Sequence, residues 1–119
     1  MTRKRTNPDF LNGVPELLIL HLLSGRAMYG YELVQAIRLA TNGALEFGEG
    51  CVYPILHRLE ADGLLASRRE TVAGRNRVVY RVTAKGTRRL QESISSWQQV
   101  VAAVQGALEG VADVRPALA

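Results

Sequence analysis

Residues 50–82 read G-C-V-Y-P-I-L-H-R-L-E-A-D-G-L-L-A-S-R-R-E-T-V-A-G-R-N-R-V-V-Y-R-V, and the apolar period changes once within them. Val52, Ile55, Leu56 and Leu59 follow the i, i+3, i+4, i+7 rule of one helical face, and Gly63 is placed to cap that helix. Pro54 then belongs in the first turn or so, where its missing N–H costs little. Past Gly63 the pattern shortens to strand-like runs near 64–70 and 77–83. The T-V-A-G-R-N between them is a turn in which Gly74 and Asn76 accept positive φ. A helix that runs directly into a two-stranded hairpin is therefore expected at the centre of the fold.

Upstream lie two more helices. From Pro15, P-E-L-L-I-L-H-L-L opens with Pro in the first turn and Glu16 at the positive end of the macrodipole. It is apolar almost all round, so a buried helix is expected, ending at Ser24-Gly25. In Y-G-Y-E-L-V-Q-A-I-R-L-A, residues 29–40, Leu33, Val34, Ile37 and Ala40 make one stripe, and Asn42-Gly43 stops the helix. Downstream, Thr83 caps a last helix. There Leu90, Ile94, Trp97, Val101, Val104 and Leu108 are spaced 4, 3, 4, 3, 4, the a/d seam of a coiled coil. Such a seam is too short for a free coiled coil but long enough to join two subunits already folded. Gly106 and Gly110 weaken its end.

The expected fold is mainly α with a small β-hairpin: a winged helix-turn-helix with a long C-terminal dimerisation helix. Residues 1–13 form a flexible basic arm, 14–84 the DNA-binding domain, 85–110 the dimerisation helix and 111–119 a disordered tail.

Charge is concentrated on the hairpin. Residues 68–89 hold Arg68, Arg69, Arg75, Arg77, Arg81, Lys85, Arg88 and Arg89 against Glu70 alone, a net +7 in 22 residues of a chain whose total is +4. Arg3, Lys4 and Arg5 add three more positive charges, so the rest of the chain is acidic. A cationic hairpin on an acidic body points to a polyanion, most plausibly double-stranded DNA.

The length of 119 residues and 47 % hydrophobic content suit one globular domain. No apolar run approaches the roughly 20 residues that span a bilayer, and the basic N-terminus runs into polar Thr6, Asn7, Pro8 and Asp9, unlike a signal peptide. The expectation is a cytoplasmic protein with no membrane partner. A single cysteine, Cys51, excludes an internal disulfide and a multi-thiolate zinc site. No nucleophile elbow, phosphate-binding loop or acid pair supports catalysis, and neither metal nor cofactor is expected.

Three stretches carry a resemblance. Y-G-Y-E-L at 29–33, G-C-V-Y-P-I-L-H-R-L-E-A-D-G-L-L at 50–65 and Y-R-V-T-A-K-G at 80–86 resemble the signature segments of the PadR family of bacterial transcriptional regulators. The likeness spans roughly residues 14–108 and fits the short subgroup with a single C-terminal helix. Cys51 stands where family members often carry Thr, and Gly48 where they often carry a Ser cap. The resemblance implies a homodimer that binds a roughly palindromic operator and usually represses. Its third helix would enter the major groove while the wing lies on the backbone or in the minor groove. In some relatives a ligand at or near the dimer interface relieves repression, and in at least one an aromatic of the last helix stacks on flat drugs.

The candidate DNA contacts are Cys51, Tyr53, Pro54 and Arg58 on the third helix, with Arg75 and Arg77 on the wing. Arginine forks suit phosphate oxygens or a narrow minor groove. The Tyr53 hydroxyl suits a phosphate and its ring a thymine methyl, against packing at the helix start as the rival. Arg58 meets a phosphate or pairs with Asp62 at i+4. His57 reads as a half-exposed surface residue, and His21 as packed against its neighbours. Cys51 lies at a helix N-terminus, where the dipole favours thiolate and a redox role; the commoner reading is a small residue allowing close approach to DNA. Trp97 is either dimer core or the floor of a pocket for a small aromatic effector. Two rivals remain open: a winged helix that binds an acidic protein, and a constitutive DNA-binding protein with no effector.

Overall fold

Asn42 and Gly63 each adopt a left-handed backbone conformation just beyond a helix, with φ of 53° and 79°. At the first, Asn42 N–H donates to Leu39 O and Gly43 N–H to Arg38 O; at the second, Gly63 N–H donates to Glu60 O and Leu64 N–H to Leu59 O. Both are Schellman closures, which satisfy carbonyls a helix end would leave bare. The computed structural model describes residues 13–110, and runs α1 (Gly13–Gly25), β1 (Met28–Tyr29), α2 (Gly30–Ala40), α3 (Glu49–Ala61), β2 (Leu65–Val72), β3 (Arg75–Val82) and α4 (Ala84–Gly110). The expectations for residues 1–12 and 111–119 lie outside the described residues. The fold is mixed α+β, with four helices and one three-stranded antiparallel sheet among the described residues.

The core is built from the predicted stripes. Ile19 and Leu20 of α1, Leu33 and Ile37 of α2, and Val52, Leu56 and Leu59 of α3 are fully buried. Val34 and Ile55 pack at its margin, while Ala40 is exposed. The first helix is less enclosed than its composition suggests. Its His21 is exposed, and Leu17, Leu18 and Leu22 are only half-buried. Pro54 is the sixth residue of α3 rather than a first-turn residue. With no N–H it leaves the Gly50 carbonyl without its partner four residues on, and the buried Val52, Leu56 and Leu59 anchor the helix on either side.

The sheet order is β1-β3-β2. The wing turn has only two central residues, Ala73 and Gly74, with φ of 52° and 78°. Positive φ at both is the type I′ geometry, whose twist matches that of the flanking strands. The strands therefore extend to Val72 and Arg75, and Asn76 belongs to β3 instead of the six-residue turn expected from T-V-A-G-R-N. The short strand β1 pairs Met28 with Tyr80 and Tyr29 with Val79, an element that the sequence pattern does not predict.

Thr83 caps α4 as expected. Its Oγ1 accepts the N–H of Gly86 at 3.1 Å and donates to the Gly63 carbonyl at 2.7 Å. Gly86 brings α4 so close to Leu64, just ahead of β2, that a Cβ there would lie 2.1 Å from the Leu64 carbonyl oxygen. The a/d seam divides beyond this point. Leu90, 6 % exposed, lies inside the chain's own core, and Ile94 packs against that core. Trp97, Val101, Val104 and Leu108 stand exposed, joined by Val100. No described helix is long and apolar enough to cross a membrane.

Candidate nucleic-acid interface

Opposed residues of an antiparallel pair share a face of the sheet. The register pairs Ala66 with Arg81, Arg68 with Val79, Glu70 with Arg77 and Val72 with Arg75. Arg68, Arg75, Arg77 and Arg81 thus share one face, with Glu70 its only acid. The opposite face carries Val78, Tyr80 and Val82, which pack on or against the core. Among the wing arginines only Arg69, opposite Val78, belongs to that inner set. Alternation of the strands therefore sorts four cations onto one face of the sheet, which they share with the buried Val79.

These four arginines are not equivalent. Arg75 begins β3 beside the turn and is exposed, as is Arg81, and neither has an ion-pair partner among the described residues. Arg68 Nε is paired with the Glu70 carboxylate. The guanidinium of Arg77 lies over the Tyr29 ring, 4.6 Å from its centroid, and its Nε is buried without a hydrogen-bond partner. Arg77 thus stands on the strand, two residues in from Arg75, and does not flank the turn.

On α3, Pro54, His57 and Arg58 are exposed while Cys51 and Tyr53 are half-buried. The Tyr53 ring covers Gly30 at the start of α2, where an added Cβ would meet it at 2.4 Å. Much of Tyr53 is therefore occupied in joining α3 to α2, the rival role weighed above. Burial pushes the Cys51 thiol above its ordinary pKa, the reverse of the direction expected from the helix dipole. Gly48 precedes α3 in an extended conformation with no side-chain cap, so the carbonyl of Gly48 serves both Cys51 and Val52 N–H.

Arg58 does not pair with Asp62. Its Nη1 donates to Glu16 Oε1 at 3.1 Å, across to α1. Lys85, counted above in the cationic window, donates to the Asp62 carbonyl at 3.0 Å. Its charge thus sits at the C-terminal end of α3, where the macrodipole favours it. Between α1 and α4 lies a cleft of about 500 Å³, walled by Val14, Leu17, Arg89, Ser93 and Trp97. Among the described residues no group of three or more His, Cys, Asp or Glu is placed to hold a metal. Tyr29 and Glu16 are the two residues of this region that sequence reasoning did not assign to it.

Comparison with known proteins agrees with this architecture. The profile of the PadR-like transcriptional regulator family matches residues 19–92. The chain is 38 % identical over 98 residues to a transcriptional regulator of Mycobacterium tuberculosis, covering 82 % of this chain and 89 % of that one. A PadR-like transcriptional regulator from Bacillus cereus superposes with a TM-score of 0.74 at 32 % identity, over 86 % of this chain and 98 % of the other. A transcriptional regulator from Clostridium thermocellum gives a TM-score of 0.76 at 26 % identity, over 82 % and 96 %. The proteins so matched are regulators of transcription, not enzymes. With the family profile spanning residues 19–92 and a relative 38 % identical along most of its length, this chain belongs to the PadR-like family of transcriptional regulators.

Proposed function

We propose that the protein is a homodimeric, sequence-specific DNA-binding repressor of a palindromic operator. The observation that carries this reading is the sorting of Arg68, Arg75, Arg77 and Arg81 onto one wing face against Glu70 alone. Phosphate contacts made from such a face provide affinity but no sequence choice. Sequence choice falls to α3, whose exposed surface holds Pro54 and Arg58, with Cys51 and the edge of Tyr53 beside them. Arg75, exposed next to the turn, is the leading wing contact, and Arg77 is set behind it on Tyr29. The exposed apolar stripe of Trp97, Val101, Val104 and Leu108 is the surface for a second copy. Two-fold symmetry then places half-sites about 10 base pairs apart, or a multiple of that.

Selection of bound duplexes from random DNA tests the reading. A palindromic consensus is the expected result, and recovery of no consensus above nonspecific binding overturns sequence-specific recognition. A steep fall of affinity with salt separates DNA from an acidic protein partner.

The cleft beside Trp97 favours release by a small aromatic effector over constitutive binding. Trp97 and Leu17 offer apolar walls, and the volume of about 500 Å³ is in the range of small-molecule sites. Trp97 fluorescence, titrated with a broad set of flat aromatic compounds, should respond to at least one. No response across the set would leave the constitutive reading.

A further inference from the structure

Glu16 of α1 accepts hydrogen bonds from two guanidinium groups at once. Arg58 Nη1 on α3 reaches its Oε1 at 3.1 Å, and Arg89 Nη1 on α4 reaches its Oε2 at 3.2 Å. The contacts join residues 42 and 73 positions apart, so the cluster exists only once the three helices have packed. The Glu16 side chain is 17 % exposed, against 51 % for Arg58 and 42 % for Arg89. A carboxylate so far out of water needs a partner, because an unpaired buried charge is costly. With two partners it can release one and remain paired.

The geometry points to Glu16 as a positioning residue for DNA binding. We propose that it holds Arg58 against α1 in the free protein and yields it to a backbone phosphate in the complex, while Arg89 stays as the carboxylate's partner. This rests on the reading that α3 meets DNA. The exchange replaces one charge-assisted hydrogen bond by another and strands no ion. It also ties two helices of different duty to a single carboxylate. Were α4 to draw Arg89 away, Glu16 would depend on Arg58 alone and hold it more firmly, weakening DNA contact. The wall of the cleft contains both Glu16 and Arg89, so the bridge is exposed to whatever changes there.

The test is a double-mutant cycle on the full chain with a mixed-sequence duplex, affinity being measured across a range of salt. Arg58→Ala should lower the slope of log K against log salt by about one unit, the loss of one phosphate contact. Glu16→Gln should raise affinity roughly two- to fivefold at low salt, the scale of a partly exposed ion pair. Glu92→Gln, three residues along α4 from Arg89, controls for simple removal of negative charge. In the Arg58→Ala background the Glu16→Gln gain should shrink to that of Glu92→Gln. An undiminished gain there, an equal gain from Glu92→Gln in the otherwise wild-type chain, or an Arg58→Ala slope that does not change overturns the exchange. If the wild-type chain binds no duplex at all, the DNA-binding reading itself falls, and the exchange with it. A measurement on the unaltered protein removes dependence on the variants' folding. Saturation with duplex should shift the Arg58 Nε–H resonance and leave that of Arg89 in place; a stationary Arg58 resonance overturns the proposal.

Discussion

Arg77 on β3 stacks its guanidinium over Tyr29 of β1, 4.6 Å from the ring centroid, and so ties the wing to the strand that introduces α2. A partly desolvated cation over a tyrosine face stabilises by about 0.5–2 kcal/mol, and the arginine stem adds apolar contact. Arg75, two residues away on the same face, makes no such contact.

The two arginines should therefore separate in mutation. Arg77→Ala is expected to lower stability by about 1–2 kcal/mol in urea unfolding. Arg75→Ala is expected to leave stability within about 0.5 kcal/mol and to flatten the salt dependence of DNA affinity by about one unit. Equal stability losses in the two variants would mean that the stacking over Tyr29 contributes nothing.

Gly86 is required by the approach of α4 to Leu64 and to Val82 of β3. An alanine Cβ would lie 2.1 Å from the Leu64 carbonyl oxygen and 2.8 Å from Val82 Cγ1. That carbonyl also accepts the Thr83 N–H, so it cannot move aside without loss of a bond. Gly86→Ala should cost about 3 kcal/mol or more. Gly30→Ala presses on the Tyr53 ring, a side chain with some freedom, and should cost less, about 1–2 kcal/mol. Thermal melts of the two variants give the order directly.

The proposed dimer surface is tested at Val101, exposed at the centre of the outer stripe. Val101→Asp should give monomers by sedimentation while leaving the helical content intact. Leu90→Asp should instead unfold the subunit, since Leu90 is core. A Val101→Asp protein that stays dimeric would assign association to another surface.

The Cys51 thiol titrates above the ordinary range because burial disfavours the thiolate. Its alkylation near neutral pH should be slower than that of a free thiol, and should still be rising at a pH where the free thiol has levelled off. A rate at pH 7 faster than the free thiol's would show that the helix dipole outweighs burial and would restore the redox reading.

Much of the fold is legible in the chain because its signals are local. The stripe of Val52, Leu56 and Leu59, the stops at Asn42 and Gly63, and the cap at Thr83 each depend on residues a few positions apart. The sequence pattern makes the wing turn too long because Ala73 is an unusual occupant of a positive φ, and only Gly74 announces itself. The strand Met28–Tyr29 is two residues long and exists by pairing with Val79 and Tyr80, some fifty residues later. No local pattern encodes it, nor the stacking of Arg77 that follows from it. The a/d spacing from Leu90 to Leu108 is real, but a period cannot say what covers each position. Leu90 is covered by its own subunit, whereas Trp97 and Val101 are not. Glu16 reads from sequence as a first-turn acid; its bridges to Arg58 and Arg89 are products of packing.

The two-residue turn at Ala73-Gly74 also constrains how a wing of this kind can change length. An insertion of one residue in a single strand would slip the register by one position. Val78, Tyr80 and Val82 would then turn outward, and the arginine set would turn toward the core. Insertions are compatible with the fold only as matched additions at the tip, two in each strand so that a hydrogen-bonded pair again closes the turn, or as a bulge that absorbs the extra residue locally. The reach of the wing can therefore be lengthened two rungs at a time at its far end, while the pairing of residues 65–70 with 77–82 stays fixed.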